Sequence, residues 1–325
     1  METPVPLQTE ICYLGILANV DSSFLHLQME GFEIQRISWD EMVYLVHALT
    51  RESEETLAFK LVHQLPCYSH NENSFFAISC KFSAFLTLNK YGSVSRFDDA
   101  FSQEAMRISD HLRLFIGRLR LFAEGNLEVP LQFCYFEHDG MPRRISSIES
   151  NQRSRSLYKV DLTLLPNLSR FLSETQIPLP DKNLELARQY YECSYEAIGQ
   201  GMRFTTLMTG MEVLFNRGKD QISYTISRYT AVLLGQTAED SSRIFKAMKK
   251  HYAARSSVVH AGQVDKITDD TVRELRGFLR ESIKALYKLG LTKDGYCEKL
   301  DALGFGQPPT IIPLVSLQAQ VDGPS

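Results

Sequence analysis

The chain has 325 residues, of which 44% are hydrophobic and 23% are charged, and its formal net charge is −4. This length favours two domains with separate cores, and the composition is typical of globular proteins and argues against long disordered stretches. An acidic chain also differs from the strongly basic proteins that hold duplex DNA through many phosphates, so we expect any contact with nucleic acid to be local.

The N-terminal segment METPVPLQTE contains acidic rather than basic side chains, and no apolar run approaches the roughly 20 residues that span a bilayer. We therefore expect neither secretion nor insertion into a membrane. The six cysteines lie far apart and form no C-x-x-C pair and no cluster with histidines at zinc-ligand spacing. This pattern is typical of reduced thiols, so we expect a cytoplasmic protein.

Residues 1–175 are predicted to form a mixed α and β domain. Short runs of β-branched and aromatic residues indicate strands, and stretches with apolar residues three and four apart indicate helices. The sequence Glu-His-Asp-Gly at 137–140 is typical of a hairpin turn after a strand. The predicted strands include residues 13–17, 75–82 and 129–136, and the predicted helices include residues 38–50 and 101–121. The order of the strands does not follow from the sequence.

A domain boundary is predicted at residues 174–181, where Pro178 and Pro180 separate strand-like from helix-like sequence. We predict an all-α bundle for residues 180–305 and a proline-rich extended tail for residues 306–325, so the fold class is α+β. Apolar residues recur at helical intervals in five segments, 184–198, 204–215, 222–233, 244–259 and 272–286. Left-handed C-caps are predicted at the glycines that follow four of them, Gly218, Gly235, Gly262 and Gly290.

Arg255 stands out in the fourth helical segment. At about 100° per residue it lies about 20° from Ile244, in the middle of the apolar stripe. A guanidinium there needs a partner, because burying an unpaired charge costs several kcal/mol and arginine does not lose its proton. Glu212 on the second helical segment is the most natural carboxylate. Two interpretations follow: Arg255 is a catalytic cation, or it is half of an ion pair that joins two helices.

His260 follows Arg255 by five residues, which in an unbroken helix means an angle of about 140° and a rise of roughly 7.5 Å. Gly262 is predicted to end the helix, so that His260 lies in the last turn, where the helix dipole favours a protonated imidazole. A histidine in that position can act as a general acid or base near neutral pH. The alternative is a simple capping residue at a helix C-terminus.

The sequence around these two residues resembles a known family. Residues 252–256, Tyr-Ala-Ala-Arg-Ser, are followed by His260 and Gly262 and preceded by the predicted helix that contains Glu212. This combination resembles the HEPN superfamily, most of all its branch typified by the ApeA anti-phage proteins. The resemblance covers roughly the last 140 residues. Its defining element is an arginine followed, after a short spacer, by a histidine near the end of a helix. Many relatives have Asn, Asp or His where this chain has Ser256, and Gly where it has Ala261.

The resemblance implies a homodimeric, metal-independent endoribonuclease without a cofactor, whose catalytic residues are Arg255 and His260. The histidine would help the RNA 2′-hydroxyl attack the adjacent phosphorus, and the arginine would stabilise charge on the phosphate oxygens. The expected products carry a 2′,3′-cyclic phosphate and a 5′-hydroxyl, so DNA should resist cleavage. A role in antiviral, abortive-infection defence is also implied, with the N-terminal domain as a sensor of an unknown ligand or phage component. The alternative is a catalytically inactive HEPN module that supplies dimerisation or RNA binding.

Three further residues are predicted to support the site. Glu212 would hold Arg255, and Ser256 could donate a hydrogen bond to a phosphate. Tyr252, one turn before Arg255, could stack on a base, although a packed aromatic ring is the more common case for such a residue.

Two other groups of residues have some of the features of ligand sites. The lysines at 246, 249 and 250 could attract RNA phosphates or form an ordinary solvated helix face. His63, Cys67 and His70 superficially resemble a metal site, but a fourth ligand is lacking and Pro66 favours a loop. We therefore predict no bound metal.

Overall fold

A computed structural model gives the fold of the chain. It describes residues 6–50, 53, 55–56, 67–69, 72–89, 94–149, 157–218 and 220–310. The chain divides into two compact units, Met1–Glu174 and Thr175–Ser325, and the division falls at the start of the segment where the sequence predicts a boundary. No helix in the described ranges has both the length and the apolar character needed to cross a bilayer.

The first unit is built on an antiparallel sheet. Its described strands are β1 (Leu7–Ala18), β2 (Glu33–Ile37), β3 (Phe75–Leu88), β4 (Val94–Phe97), β5 (Glu128–His138) and β6 (Met141–Glu149). The strands pair in the order β2-β3-β1-β5-β6, and β4 also pairs with β3. Tyr13 of β1 lies opposite Cys80 of β3 on one side and Cys134 of β5 on the other, so β1 is the central strand.

Both faces of this sheet are covered. Ile11 and Leu17 of β1 belong to a core that helix α2 (Asp99–Phe122) closes, whereas Leu14 and Ile16 belong to a second core closed by helix α1 (Trp39–Thr50). Alternate side chains of a strand point to opposite faces, so a central strand buried on both sides is apolar at successive positions. This two-sided burial explains the continuous apolar run at residues 13–17.

The predicted elements of this unit are confirmed. The strand-like runs lie within β1, β3 and β5, and the helical stretches match α1 and α2 to within two residues at each end. The predicted hairpin joins β5 to β6, where His138 lies opposite Met141 and the turn residues Asp139 and Gly140 have φ of 55° and 71°. A further helix, α3 (Leu165–Glu174), ends the unit.

In the described part of the second unit the regular elements are all α-helices. They are α4 (Lys182–Glu196), α5 (Gln200–Phe215), α6 (Ile222–Leu234), α7 (Ala238–Ala261), α8 (Asp269–Leu289) and α9 (Lys293–Asp301). The five predicted helical segments correspond to α4 through α8. The sequence pattern does not predict α9, because that short helix buries only Tyr296, Cys297 and Leu300.

The predicted glycine caps are confirmed at two positions and wrong at two. Gly262 and Gly290 both have φ of 64° and end α7 and α8. Gly218 lies outside the left-handed region, and Gly235 has φ of −76°. Gly235 instead allows close approach of two helices, since a methyl group there would lie 2.7 Å from the Cα atom of Ser241.

The start of the predicted tail is described and the rest is not. Residues 306–310 form neither helix nor strand, and the Gly306 amide donates a hydrogen bond to the Ser241 hydroxyl at 3.0 Å, which holds this segment against the start of α7. Residues 311–325 lie outside the described residues, as do His63 and His70. The remaining member of that predicted trio, Cys67, is buried, and burial raises the pKa of its thiol.

Candidate active site on helix α7

Helix α7 carries both predicted catalytic residues, and its ends are well defined. At its start the Thr237 hydroxyl accepts a hydrogen bond from the Asp240 amide at 3.1 Å. At its end Gly262 takes the left-handed conformation. Because the helix is continuous between these caps, Arg255 and His260 are held by one rigid element.

Arg255 forms an ion pair with Glu212 of α5, with 3.4 Å between Nε and Oε1. The predicted pairing is therefore confirmed. Oε1 is buried and accepts no aligned hydrogen bond within the described residues, so the contact is mainly electrostatic. The side chains of Arg255 and Glu212 are 29% and 21% exposed. A guanidinium has more N–H donors than this contact uses, so a second anion can bind from the solvent side.

Tyr252 belongs to the same cluster. Burial raises the pKa of its hydroxyl and the Glu212 carboxylate raises it further, whereas Arg255 lowers it. The hydroxyl therefore stays protonated at neutral pH, so Tyr252 can donate a hydrogen bond but cannot act as a general base there.

His260 lies exposed in the last turn of α7, as predicted, and Ser256 is exposed as well. Five residues of continuous helix place the His260 side chain about 140° around the axis from Arg255 and roughly 7.5 Å along it. The guanidinium consequently faces Glu212 while the imidazole faces solvent. Within one chain the two groups do not point to a common position.

The apolar stripe of α7 is shorter than predicted. Ile244 and Met248 are 3% and 0% exposed, but Val259 is 52% exposed. The stripe does not reach the end of the helix, because Val259, His260 and Ala261 in the last turn are all exposed. The prediction that the apolar stripe continues to Val259 is therefore wrong, whereas Arg255 keeps its predicted position on the helix, within the arc of the buried Ile244, Met248 and His251.

Sequence reasoning missed the buried histidine of this helix. His251 is 3% exposed, and its Nε2 lies 2.9 Å from Oε2 of Glu274 on α8. Its ring packs near Phe204 of α5 and Phe278 of α8, with ring centroids 6.0 and 6.3 Å away. Position 251 is three residues after the buried Met248, which could have identified the histidine as a core residue.

Burial sets the protonation state of His251. Desolvation lowers its pKa, and this effect outweighs the opposing attraction of the Glu274 carboxylate. The neutral imidazole then uses its Nε2–H to donate a hydrogen bond to Glu274. His251 thus connects three helices one turn before Arg255, and it is shielded from any substrate.

A separate groove of about 520 Å³ lies between α6, the start of α7 and α8. Its charged lining residues are Asp240, Arg243, Glu274, Glu281, Lys284 and Lys288. Most of these charges compensate one another, since Arg243 pairs with Asp240 at 2.7 Å and Lys284 pairs with Glu281 at 3.1 Å. Neither Arg255 nor His260 lines this groove, so it is not the predicted catalytic cleft.

Within the ranges that the structure describes, no group of three or more His, Cys, Asp and Glu side chains is placed to hold a metal ion. The six cysteines are all described and all free.

No family model, curated protein or solved structure matches this chain. Its function must therefore be argued from the geometry and chemistry of the side chains on α5, α7 and α8, since a helical fold by itself supports many functions.

Proposed function

We propose that the second unit is a HEPN-type helical bundle and that the protein is a metal-independent endoribonuclease. One observation carries the proposal: Arg255 is held by Glu212 at 3.4 Å while 29% of its side chain stays exposed, and His260 is exposed five residues later on the same helix. A fixed cation with unused donors and a solvent-facing imidazole are the two groups that cleavage of RNA by its own 2′-hydroxyl requires.

The reaction needs no group from outside the RNA and the protein. His260 takes the proton of the 2′-hydroxyl as its oxygen attacks the adjacent phosphorus. The bond from phosphorus to the 5′-oxygen of the next nucleotide breaks, and that oxygen takes up the proton that His260 has removed from the 2′-hydroxyl. Arg255 stabilises the negative charge that gathers on the non-bridging oxygens. The products are a 2′,3′-cyclic phosphate and a 5′-hydroxyl end.

Two copies of the chain are part of the proposal. Because Arg255 and His260 point about 140° apart, a phosphodiester can meet both kinds of group if a two-fold axis brings a second α7 alongside the first. Exposed apolar side chains near the end of α7 offer a surface for that contact. They are Ile198, Met202, Val259 and Val264, which are 75%, 61%, 52% and 47% exposed.

The segment that carries Val264 is in contact with the start of α5, which carries Met202. Val264 packs on Gly201 so closely that a methyl group at Gly201 would lie 2.7 Å from Cγ1 of Val264, and Met202 is the next residue along the chain. An apolar surface of this kind beside a catalytic histidine is typical of an interface that buries it. A dimer formed here would place two copies of His260 close to one another.

The wider biological role is also a proposal. The resemblance to anti-phage proteins supports cleavage of host or viral RNA during abortive-infection defence in the cytoplasm. The first unit, with its separate sheet and two cores, would then sense a ligand or phage component and control the nuclease.

The test is cleavage of single-stranded RNA by purified protein in the presence of EDTA, with Arg255→Ala and His260→Ala in parallel. We expect wild-type cleavage with cyclic phosphate ends and a loss of at least about a hundredfold in each variant. Equal cleavage by all three proteins would reject the assigned site.

A second candidate function is a catalytically inactive module for dimerisation or RNA binding. The Arg255–Glu212 ion pair favours it, because a cation engaged by a carboxylate also serves as a link between two helices. The same experiment separates the two functions: the inactive module binds RNA, leaves it intact in EDTA and in Mg²⁺, and does so with or without His260.

A further inference from the structure

The solvent face of α7 concentrates positive charge in a chain whose net charge is −4. Between Ser241 and Ala261 the helix contains five Lys and Arg residues and no Asp or Glu. The acidic residues of the helix, Glu239 and Asp240, are confined to its first turn. The basic character therefore belongs to one continuous stretch of 21 residues.

The lysines of this stretch and His260 share one side of the helix. At about 100° per residue, Lys246, Lys249, Lys250 and His260 fall within an arc of about 100°. All four are exposed. The positions between them on this face are small, Ala253 and Ser257, so the surface between the lysines and the histidine is low and open to a ligand.

The three lysines have no carboxylate partners in the described structure. The ion pairs of α7 there involve Arg243 with Asp240, His251 with Glu274 and Arg255 with Glu212. Lysines 246, 249 and 250 take part in none of them. Their charges are therefore available for an external anion.

We propose that this face, defined by Lys246, Lys249, Lys250 and His260, binds the phosphodiester backbone of single-stranded RNA and leads it to His260. The inference rests on the proposed nuclease function and adds the path of the substrate. From Lys246 to His260 the helix rises about 21 Å, enough to follow several consecutive phosphates.

The amino-acid composition of this face favours single-stranded RNA over a membrane surface as its ligand. A helix that lies on an anionic membrane carries large apolar side chains beside its basic ones, whereas this face has only alanine, serine, lysine and histidine. A single strand also fits the chemistry better than a duplex, because the 2′-hydroxyl must swing into line with the leaving oxygen. Lysines contact phosphates without reading bases, so sequence preference should be weak.

Binding can be measured apart from cleavage. The probe is a fluorescent 12-nucleotide RNA with 2′-O-methyl riboses, which lacks the nucleophile and stays intact. Lys246→Glu/Lys250→Glu is compared with Lys182→Glu/Lys299→Glu, two exposed lysines elsewhere in the second unit that give the same change in net charge. Circular dichroism and thermal unfolding check that both variants fold.

We expect the α7 variant to bind at least about tenfold more weakly than wild type, and the control variant to stay within about threefold. The dependence of log Kd on log salt should become shallower for the α7 variant alone, by about 0.7 for each phosphate that a lysine no longer neutralises. Single-stranded DNA of the same length should compete with the RNA at comparable concentration, because the lysines bind the phosphates that both nucleic acids share.

The outcomes separate this inference from the proposed function. Weak binding by the α7 variant supports the path even if wild-type protein never cuts RNA. Equal binding by the two lysine variants overturns the path even if the RNA is cut. A wild-type protein that does not bind the probe also overturns it.

Discussion

Nε2 of His251 lies 2.9 Å from Oε2 of Glu274, and this contact joins the middle of helix α7 to helix α8. The histidine is buried, while the glutamate side chain is 45% exposed. A neutral imidazole can keep the hydrogen bond without carrying a buried charge, which fits the lowered pKa of His251. The segment that carries Arg255 is therefore fixed by a contact whose strength depends on pH.

The first prediction concerns the stability of the second unit as a function of pH. The folded pKa of His251 lies below the value of about 6.5 for an unfolded histidine, so the unfolded state binds more protons as pH falls below that value. The His251 contribution should be complete above about pH 6.5 and should be lost progressively on acidification below it.

Thermal unfolding of wild type and His251→Asn between pH 5 and 8 measures this contribution. The difference between the two proteins should shrink as pH falls, because the variant lacks the group that takes up the proton. Parallel pH profiles would show that His251 does not titrate between the folded and unfolded states. Glu274→Gln is a useful control, since it retains a hydrogen-bond acceptor and removes the carboxylate charge.

The second prediction concerns the Arg255–Glu212 ion pair. A double-mutant cycle with Arg255→Ala and Glu212→Ala should give a coupling energy of roughly 0.5–2 kcal/mol in urea unfolding, because the two side chains are largely shielded from water. Glu212→Gln should reduce cleavage as well as stability, since it leaves the guanidinium without its charged support. A coupling energy of zero would mean that the pair does not form in solution.

The third prediction compares alanine substitutions at two glycines, one in a crowded position and one in open space. A methyl group at Gly235 would lie 2.7 Å from the Ala231 carbonyl oxygen, so Gly235→Ala should destabilise the fold by about 1–3 kcal/mol. Gly277, inside α8, has no atom within 4 Å of its added methyl position. Gly277→Ala should stabilise by about 0.5–1 kcal/mol, because alanine loses less backbone entropy on forming a helix. Urea unfolding of both variants tests the relative positions of α6, α7 and α8.

The fourth prediction concerns assembly. Met202→Lys places a charge in the exposed apolar surface near His260, and it should shift the protein from dimer to monomer at micromolar concentration and reduce cleavage in parallel. Met106→Lys is the matched control, since Met106 is 68% exposed on α2 of the first unit and should change neither property. Light scattering after size-exclusion chromatography gives the mass of each protein. A monomeric wild-type protein that still cuts RNA would contradict the two-copy site.

Much of the fold could be predicted because local patterns determine it. The apolar spacing of α4 through α8 indicates helices directly, and the Asp139-Gly140 turn identifies a hairpin. Strand order in the sheet could not be predicted, because it depends on pairings between distant segments, such as Leu7 with Leu86. One of the two mistaken glycine caps has a similar cause, because glycine at position 235 is required by the neighbouring helix and not by its own backbone conformation.

The site could be predicted only in part. Helical spacing predicted that Arg255 lies on the apolar side of α7. Because a charge near a core needs a partner, the sequence also predicted that the Glu212 carboxylate contacts it. The contact of His251 with Glu274 spans 23 residues and requires knowledge of how α7 packs on α8. The sequence predicted that Val259 is buried, but it is exposed, because periodicity does not show which turns of a helix are covered.

The most direct test of the central claim is the cleavage rate of Arg255→Ala, His260→Ala and the double variant on one single-stranded RNA, with wild type as reference. If the two residues act on the same phosphodiester, each single variant should lose most of the activity and the double variant should lose little more, because groups that work as a unit do not contribute additively. Multiplicative losses would mean that they act independently, and wild-type rates in either single variant would contradict the proposed site.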